Sequence, residues 1–313
     1  MHLAQEELGK CPPRGGVLCC YTRKGFMEDA IRKADVLIEA LPYIKKFHKK
    51  VIVIKYGGSI LGDEKIRNSV LEDIVFLNFM GLRSILVHGG GPNISERMRA
   101  TGKKTEFVEG MRVTDEETLQ LVEEELLVLN ELIVKELNEL GARAVGLNGK
   151  DDDLIQVEKK KVKVGQVDIG LVGQIKAINT QLLSDELKKD KVLVVLPMGR
   201  GKDKKTYNIN ADEVAASIAA NLQAEKFVLL TNVKGIMRNA EDASSFISTL
   251  TVAEVSGLIE NKIIQQGMIP KVAACVEALN GGVKKTHIID ARTPHGLLLE
   301  IFTDQGIGTE IIK

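Results

Sequence analysis

The stretch VIVIKYGGS, residues 51–59, joins four β-branched apolar residues to a lysine, a tyrosine and two glycines. An unbroken β-branched run suits a strand buried on both faces, and such strands belong to parallel sheets covered by helices on either side. Outward from it the alternation repeats. DEKIRNSVLEDIVFLNFMG (63–81) reads as a helix, SILVHGG (84–90) as a strand and PNISERMRATG (92–102) as a helix. Thr114 to Glu117 has capping-box spacing and opens a long helix to about Leu140. RAVGLNG (143–149), KVLVVLPMG (191–199), NINADEVAASIAANLQAE (208–225), KFVLLTNVKGIM (226–237), MIPKVAACVEALNGG (268–282) and KTHIIDA (285–291) carry the alternation to the end. The expectation is an α/β chain, with helices over both faces of a mainly parallel sheet and ligands at the carboxyl ends of its strands.

Two segments depart from that rhythm. Residues 151–179 hold short β-rich pieces with Gly165, Gly170 and Gly173 as turn points, consistent with hairpins inserted beside a substrate pocket. Residues 25–50 carry a helical apolar face, Ile31, Val36, Leu37, Ala40 and Leu41, interrupted by Pro42. That helix either packs on its own domain or reaches for a partner. Residues 1–24, with Pro12, Pro13, Gly15 and Gly16, read as a disordered leader. A boundary near residue 198 separates an N-terminal lobe (49–198) from a C-terminal lobe (199–313) that share one sheet.

Composition narrows the function. Lys plus Arg equals Asp plus Glu at 43 each, so no net field recruits nucleic acid or an anionic membrane. Aromatic residues make up 4% with no Trp, which leaves few platforms for stacking bases or sugars. Three of the four cysteines, Cys11, Cys19 and Cys20, crowd the leader, and no Cys or His spacing fits a zinc site or a disulfide framework. The expected setting is the cytoplasm, or a plastid if residues 1–24 belong to a targeting leader, with no membrane span.

Four motifs remain. IKYGGS (54–59) ends a strand in Lys55 and then removes side chains at Gly57 and Gly58. It is either a solvated turn or a place where backbone amides approach an anion. VHGGGP (87–92) enters a helix through glycines with proline at its start, fitting either a tight turn or an anion site at a helix N-terminus. Asp212, in NINAD, either stabilises a helix start or orients nearby lysines. Lys271, in GMIPK, is a cation at a helix start, where the dipole disfavours it, so it is either solvated or awaiting an anion. Arg112, in GMRVTD, is a surface arginine or a bidentate carboxylate clamp. No dinucleotide fingerprint, P-loop, protein-kinase signature or nucleophile elbow occurs. Two glycine cradles, two lysines, an orienting acid and an arginine, without a nucleophile or general base, form the inventory of phosphoryl transfer to an acceptor already anionic.

KYGGS, VHGGGP, RVTD, NINAD and GMIPK, in this order, resemble the acetylglutamate kinases of the amino-acid kinase family, over roughly residues 25–313. The resemblance implies a three-layer αβα sandwich, ATP with Mg²⁺, and N-acetyl-L-glutamate as acceptor in arginine synthesis. It implies that Lys55 and Lys271 stabilise the transferring phosphoryl and that Asp212 organises them. Gly57 and Gly58 then line the phosphates, Gly90 and Gly91 the substrate, Arg112 grips its α-carboxylate, and Asn208 and Asn210 lie by the acetamido group. The helix at 25–48 is similar to the arm that interlaces dimers into a ring-shaped hexamer in arginine-inhibited members. Tyr43, Lys226, His287, Glu300 and Gly306 match positions tied to the arginine effector, and the resemblance extends the partner set to a PII-type regulator. The chain departs from the family pattern in GKDDD (149–153) and QQGMIPK (265–271).

Overall fold

The structure is a computed structural model that describes residues 23–161, 168–239, 242–303 and 306–313. Eight strands form the central sheet in the order Thr249–Thr251, Thr309–Ile312, Lys285–Asp290, Lys226–Thr231, Val51–Tyr56, Arg83–His88, Val192–Leu196, Ala144–Asn148. Every neighbouring pair is parallel except Lys285–Asp290 with Thr309–Ile312. Helices bury both faces, giving the three-layer αβα sandwich. Strands drawn from residues before and after 198 lie in this one sheet.

Strand parity decides what each face holds. Ile52, Ile54 and Tyr56 point into the core formed with Val70, Leu71 and Ile74 of the Glu64–Phe79 helix. Val53, one step out of phase, joins Val214, Ala215 and Ile218 of Ala211–Asn221 and Val272 and Cys275 of Ile269–Asn280. Side chains alternate across a strand, so Lys55 shares the Val53 face and enters the layer that carries Asp212 and Lys271. The long Glu116–Glu139 helix is capped one residue later than expected. Asp115 is the N-cap and accepts the Thr118 N–H at 2.7 Å, while the Thr114 hydroxyl donates to the Arg112 carbonyl and accepts from Asn208 Nδ2.

The expected hairpin is present. Ile155–Lys159 and Gly173–Ile178 pair antiparallel within a second, four-stranded sheet that also holds Met198–Gly201 and Thr206–Asn208. Gly173 opens a strand instead of turning the chain, and Gly165 lies outside the described residues. Gly170 does turn, with φ +76°, at a point where a Cβ would strike the Thr114 carbonyl. In GKDDD, Asp152 and Asp153 both hold the left-handed conformation, φ +51° and +53°, which Asp tolerates better than most side chains. These two family departures therefore leave the turn intact.

The described residues fall into two compact units, divided between Pro42 and Tyr43. The described part of the first is helical and exposes Ile31, Val36, Leu37, Ile38 and Leu41. The helix spans Arg23–Phe47, so it begins inside the segment expected as leader and runs through Pro42 without ending there. Residues 1–22 of that leader lie outside the described residues.

Beneath the glycine turn, Arg67 donates to both Glu136 carboxylate oxygens (2.7 and 2.8 Å) and to the Leu61 carbonyl (2.7 Å), tying the turn to the long helix. The adjacent Tyr56 hydroxyl is buried with no hydrogen-bond partner among the described residues. Truncating one member of a buried ion pair strands the other. Arg67→Ala is expected to cost roughly 3 kcal/mol by that reasoning, whereas Tyr56→Phe should be neutral or stabilising by up to about 1 kcal/mol. Urea unfolding at fixed protein concentration checks both.

Candidate active site

Lys55 leaves the central strand at its carboxyl end and meets the Asp212 carboxylate at 2.8 Å, while Lys271 reaches the other oxygen of the same carboxylate at 3.2 Å. Asp212 is the second residue of Ala211–Asn221, held there by Asn210, whose side-chain oxygen accepts the N–H groups of Asp212 (2.8 Å) and Glu213 (3.4 Å). Lys271 occupies the third position of Ile269–Asn280, just after Pro270. The Lys55 and Asp212 side chains are 10% and 7% exposed, and that of Lys271 24%, so Lys271 borders the opening. Burial lowers the Lys55 pKa against the pull of Asp212. Burial opposes ionisation of Asp212 too, but the two lysines outweigh it and hold the carboxyl below its ordinary range. Two ammonium groups sharing one carboxylate leave one net positive charge, which an incoming anion neutralises.

The glycine cradle stands against this triad. A Cβ on Gly58 would come within 2.8 Å of the Gly91 nitrogen and 3.0 Å of the Gly90 nitrogen, so both amides press on the bare side of Gly58. Gly90 is the N-cap of the Gly91–Ala100 helix, with Pro92 in its first turn. The Gly57 N–H donates to the Leu230 carbonyl at 3.2 Å and the Gly89 N–H to the Tyr56 carbonyl at 3.1 Å, so these two amides brace the loops. Gly57 thus contributes a turn without side chain, Gly58 the close approach of the Gly90 and Gly91 nitrogens, and Gly91 a position with open space where a side chain would stand.

Arg112 is buried, and its desolvation lowers its pKa. It donates to the Gly91 carbonyl (2.9 Å), Ser95 Oγ (2.8 Å), Thr105 Oγ1 (3.4 Å) and Met98 Sδ (3.1 Å), and stacks 4.9 Å from the Phe107 ring. No carboxylate pairs with it among the described residues, which leaves a second uncompensated cation beside the cradle. Thr114, bonded to the Arg112 carbonyl, accepts from Asn208 Nδ2 at 3.3 Å and links the two expected substrate residues. Ser95, the link that Thr114 makes between Arg112 and Asn208, and the cap role of Asn210 were not legible in the motifs, because each depends on a contact distant in sequence or on a local turn.

The five residues matched to an effector gather elsewhere. Tyr43, Lys226, His287, Glu300 and Gly306 line one cavity of about 380 Å³. Glu300 is buried and accepts the N–H groups of Ile307 (2.9 Å) and Gly308 (3.3 Å), and His287 Nδ1 lies 2.7 Å from it. Burial resists its charge, yet these partners and Lys226 keep its carboxyl below the usual range.

The model of the amino acid kinase family matches residues 50–290. The chain belongs to that family. The acetylglutamate kinase of Petrotoga mobilis is 47% identical over 286 residues, 91% of this chain and 95% of the relative. That of Pelotomaculum thermopropionicum is 48% identical over 289 residues, 90% and 98% of the two chains. The N-acetylglutamate synthase of Neisseria gonorrhoeae shares the kinase fold. Its complex with coenzyme A and N-acetyl-glutamate superposes with a TM-score of 0.80 at 28% identity over 90% of this chain, and the kinase spans 63% of the synthase's length. The complex of that synthase with coenzyme A and L-arginine gives 0.78 at 27% identity, covering 90% of this chain and 65% of the synthase.

Two outcomes follow for the kinase. In Asp212→Asn, Lys55 loses the carboxylate that favours its charged form, so the basic limb of the kcat/KM pH profile should move to lower pH, measured from pH 6 to 10. Gly58→Ala should lower kcat/KM at least about a hundredfold while the fold is retained, since a 1 Å displacement of positioning groups carries a penalty of that size. Steady-state kinetics with circular dichroism checks it.

Proposed function

We propose that the enzyme transfers the γ-phosphoryl group of ATP to the side-chain carboxylate of N-acetyl-L-glutamate, forming N-acetyl-L-glutamyl 5-phosphate and ADP in arginine biosynthesis. The observation that carries this is the net positive triad of Lys55, Asp212 and Lys271 beside the amides of Gly90 and Gly91. A carboxylate oxygen attacks the γ-phosphorus, the bond to the bridging oxygen breaks, and the electron pair leaves on ADP. Because the nucleophile is already an anion, no base is required. Asp212 is engaged by both lysines and acts as their organiser. Lys55 and Lys271 neutralise the oxygens of the transferring group, where a preorganised charge is most effective. When bound with the nucleotide's phosphates, Mg²⁺ would supply further charge neutralisation there.

The acceptor's α-carboxylate fits Arg112, a buried guanidinium lacking an acidic partner among the described residues. Asn208 and Asn210 suit the acetamido group, as amides able to donate and accept. The kinship with bacterial acetylglutamate kinases supports this acceptor and a cytoplasmic setting. Among the described residues no helix is long and apolar enough to cross a membrane.

The reading extends to feedback by L-arginine at the cavity of Tyr43, Lys226, His287, Glu300 and Gly306. A buried, ionised Glu300 matches a guanidinium, and Lys226 and Lys285 on the same wall match a carboxylate. The apolar stripe of Ile31, Val36, Leu37 and Leu41 fits an arm joining dimers into a hexamer. A PII-type regulator belongs to the same regulatory reading.

ATP- and Mg²⁺-dependent acylphosphate, trapped with hydroxylamine, should form with N-acetylglutamate at least about tenfold faster than with glutamate or an aminoadipate derivative, a ratio corresponding to roughly 1.4 kcal/mol. No product from any of the three would overturn the proposal. In the same assay, Glu300→Gln should raise the arginine concentration for half-inhibition at least about tenfold while kcat stays near wild type, reflecting loss of a charge-assisted pair. An unchanged arginine response would remove the effector assignment.

A further inference from the structure

His88 closes the strand Arg83–His88 immediately before the three glycines, and no step described so far uses it. Its ring is fully buried. Nε2 lies 3.1 Å from Asn130 Nδ2, and the same Asn130 nitrogen donates to the Val194 carbonyl at 3.0 Å. Since a carbonyl accepts only from a donor, Val194 fixes which end of the Asn130 amide is nitrogen. His88 Nε2 is therefore the acceptor and carries no proton. The proton sits on Nδ1, which lies 3.3 Å from the Gly89 carbonyl and donates to it. Burial pushes the imidazole pKa down to about 4, so the ring is neutral under ordinary conditions. Gly146, beside Asn130, has no room for a Cβ, which would fall on the Asn130 side-chain oxygen.

The consequence lies in peptide geometry. In a planar trans peptide the C=O and the N–H of the next residue point in opposite directions. A Gly89 carbonyl held toward the buried ring turns the Gly90 N–H away from it, toward Gly58, where the Gly90 nitrogen is found. Three successive glycines have little conformational preference of their own, so something outside the loop must select this orientation.

We propose that His88 is a positioning residue for phosphoryl transfer, using its Nδ1–H to hold the Gly89 carbonyl and so aim the Gly90 amide into the cleft, with Asn130 setting the tautomer. The inference rests on the phosphoryl-transfer reading. His88→Phe keeps the ring's bulk and removes the donor. In His88→Asn the bulk shrinks, but an amide nitrogen can occupy the place of Nδ1.

Phe should lower kcat at least about thirtyfold, with KM for ATP within about threefold and unfolding temperature near wild type. Asn should recover most of kcat despite a lower unfolding temperature. A Phe variant within about threefold of wild-type kcat, or an Asn variant slower than Phe, overturns the proposal, because a packing role orders the two the other way. ¹⁵N spectra of imidazole-labelled wild-type enzyme supply a readout independent of turnover and of variant folding. They should show a neutral His88 protonated at Nδ1, and protonation at Nε2 would also overturn it. Wild-type enzyme silent in the hydroxylamine assay would indict the reaction instead, while an active wild type with an undiminished Phe variant indicts His88.

Discussion

One carboxylate held between two ammonium groups organises the molecule. Without Asp212, Lys55 and Lys271 would repel each other inside a poorly solvated layer. At an effective dielectric near 20, opposite charges about 3 Å apart attract by roughly 5 kcal/mol, comparable to the several kcal/mol that desolvating each ion costs. Asp212 therefore offsets part of what burial costs Lys55. Each member comes from a different element: the central strand, the helix Ala211–Asn221 and the helix Ile269–Asn280. The packing of those helices on the Val53 face is thus a condition for the triad, since it brings residues more than 200 positions apart onto one carboxylate.

Much of this was legible in the chain. The β-branched runs gave the parallel sheet, and the period of two put Lys55 on the face opposite Ile54 and Tyr56. NINAD and GMIPK marked the two helix starts that supply Asp212 and Lys271. Less legible was the division of labour among neighbours. Gly57 and Gly58 are adjacent and identical in sequence, yet one amide bonds Leu230 and the other glycine faces Gly90 and Gly91. Asp115, not Thr114, caps the long helix, and Thr114 instead bridges the Arg112 carbonyl and Asn208. The His88–Asn130 contact spans 42 positions and leaves no periodic trace. Such pairings depend on which strand lies beside which, and a single chain reveals that only once the sheet order is known.

The same sheet relates the two ligand regions. Ile52 pairs with Lys226 and Lys55 with Leu229 in adjacent parallel strands. Lys226 lines the cavity shared with His287 and Glu300 near the amino ends of these strands, whereas Lys55 meets Asp212 at the carboxyl end. Under the proposed regulation, a ligand at Glu300 would reach the reacting groups through the strands or their covering helices, without touching them. The Glu300 contacts to Ile307 and Gly308 give such a ligand a local structure to alter.

The central claim is that Lys55 and Lys271 act as one clamp through Asp212. The most direct measurement is a double-mutant cycle on kcat for acylphosphate formation, with Lys55→Met, Lys271→Met and the pair. Groups acting as a unit lose most of their effect with the first deletion. Each single variant should fall at least about a hundredfold, with the double variant within about tenfold of the slower single. Strictly multiplicative losses, or either single variant retaining wild-type kcat, would contradict the account.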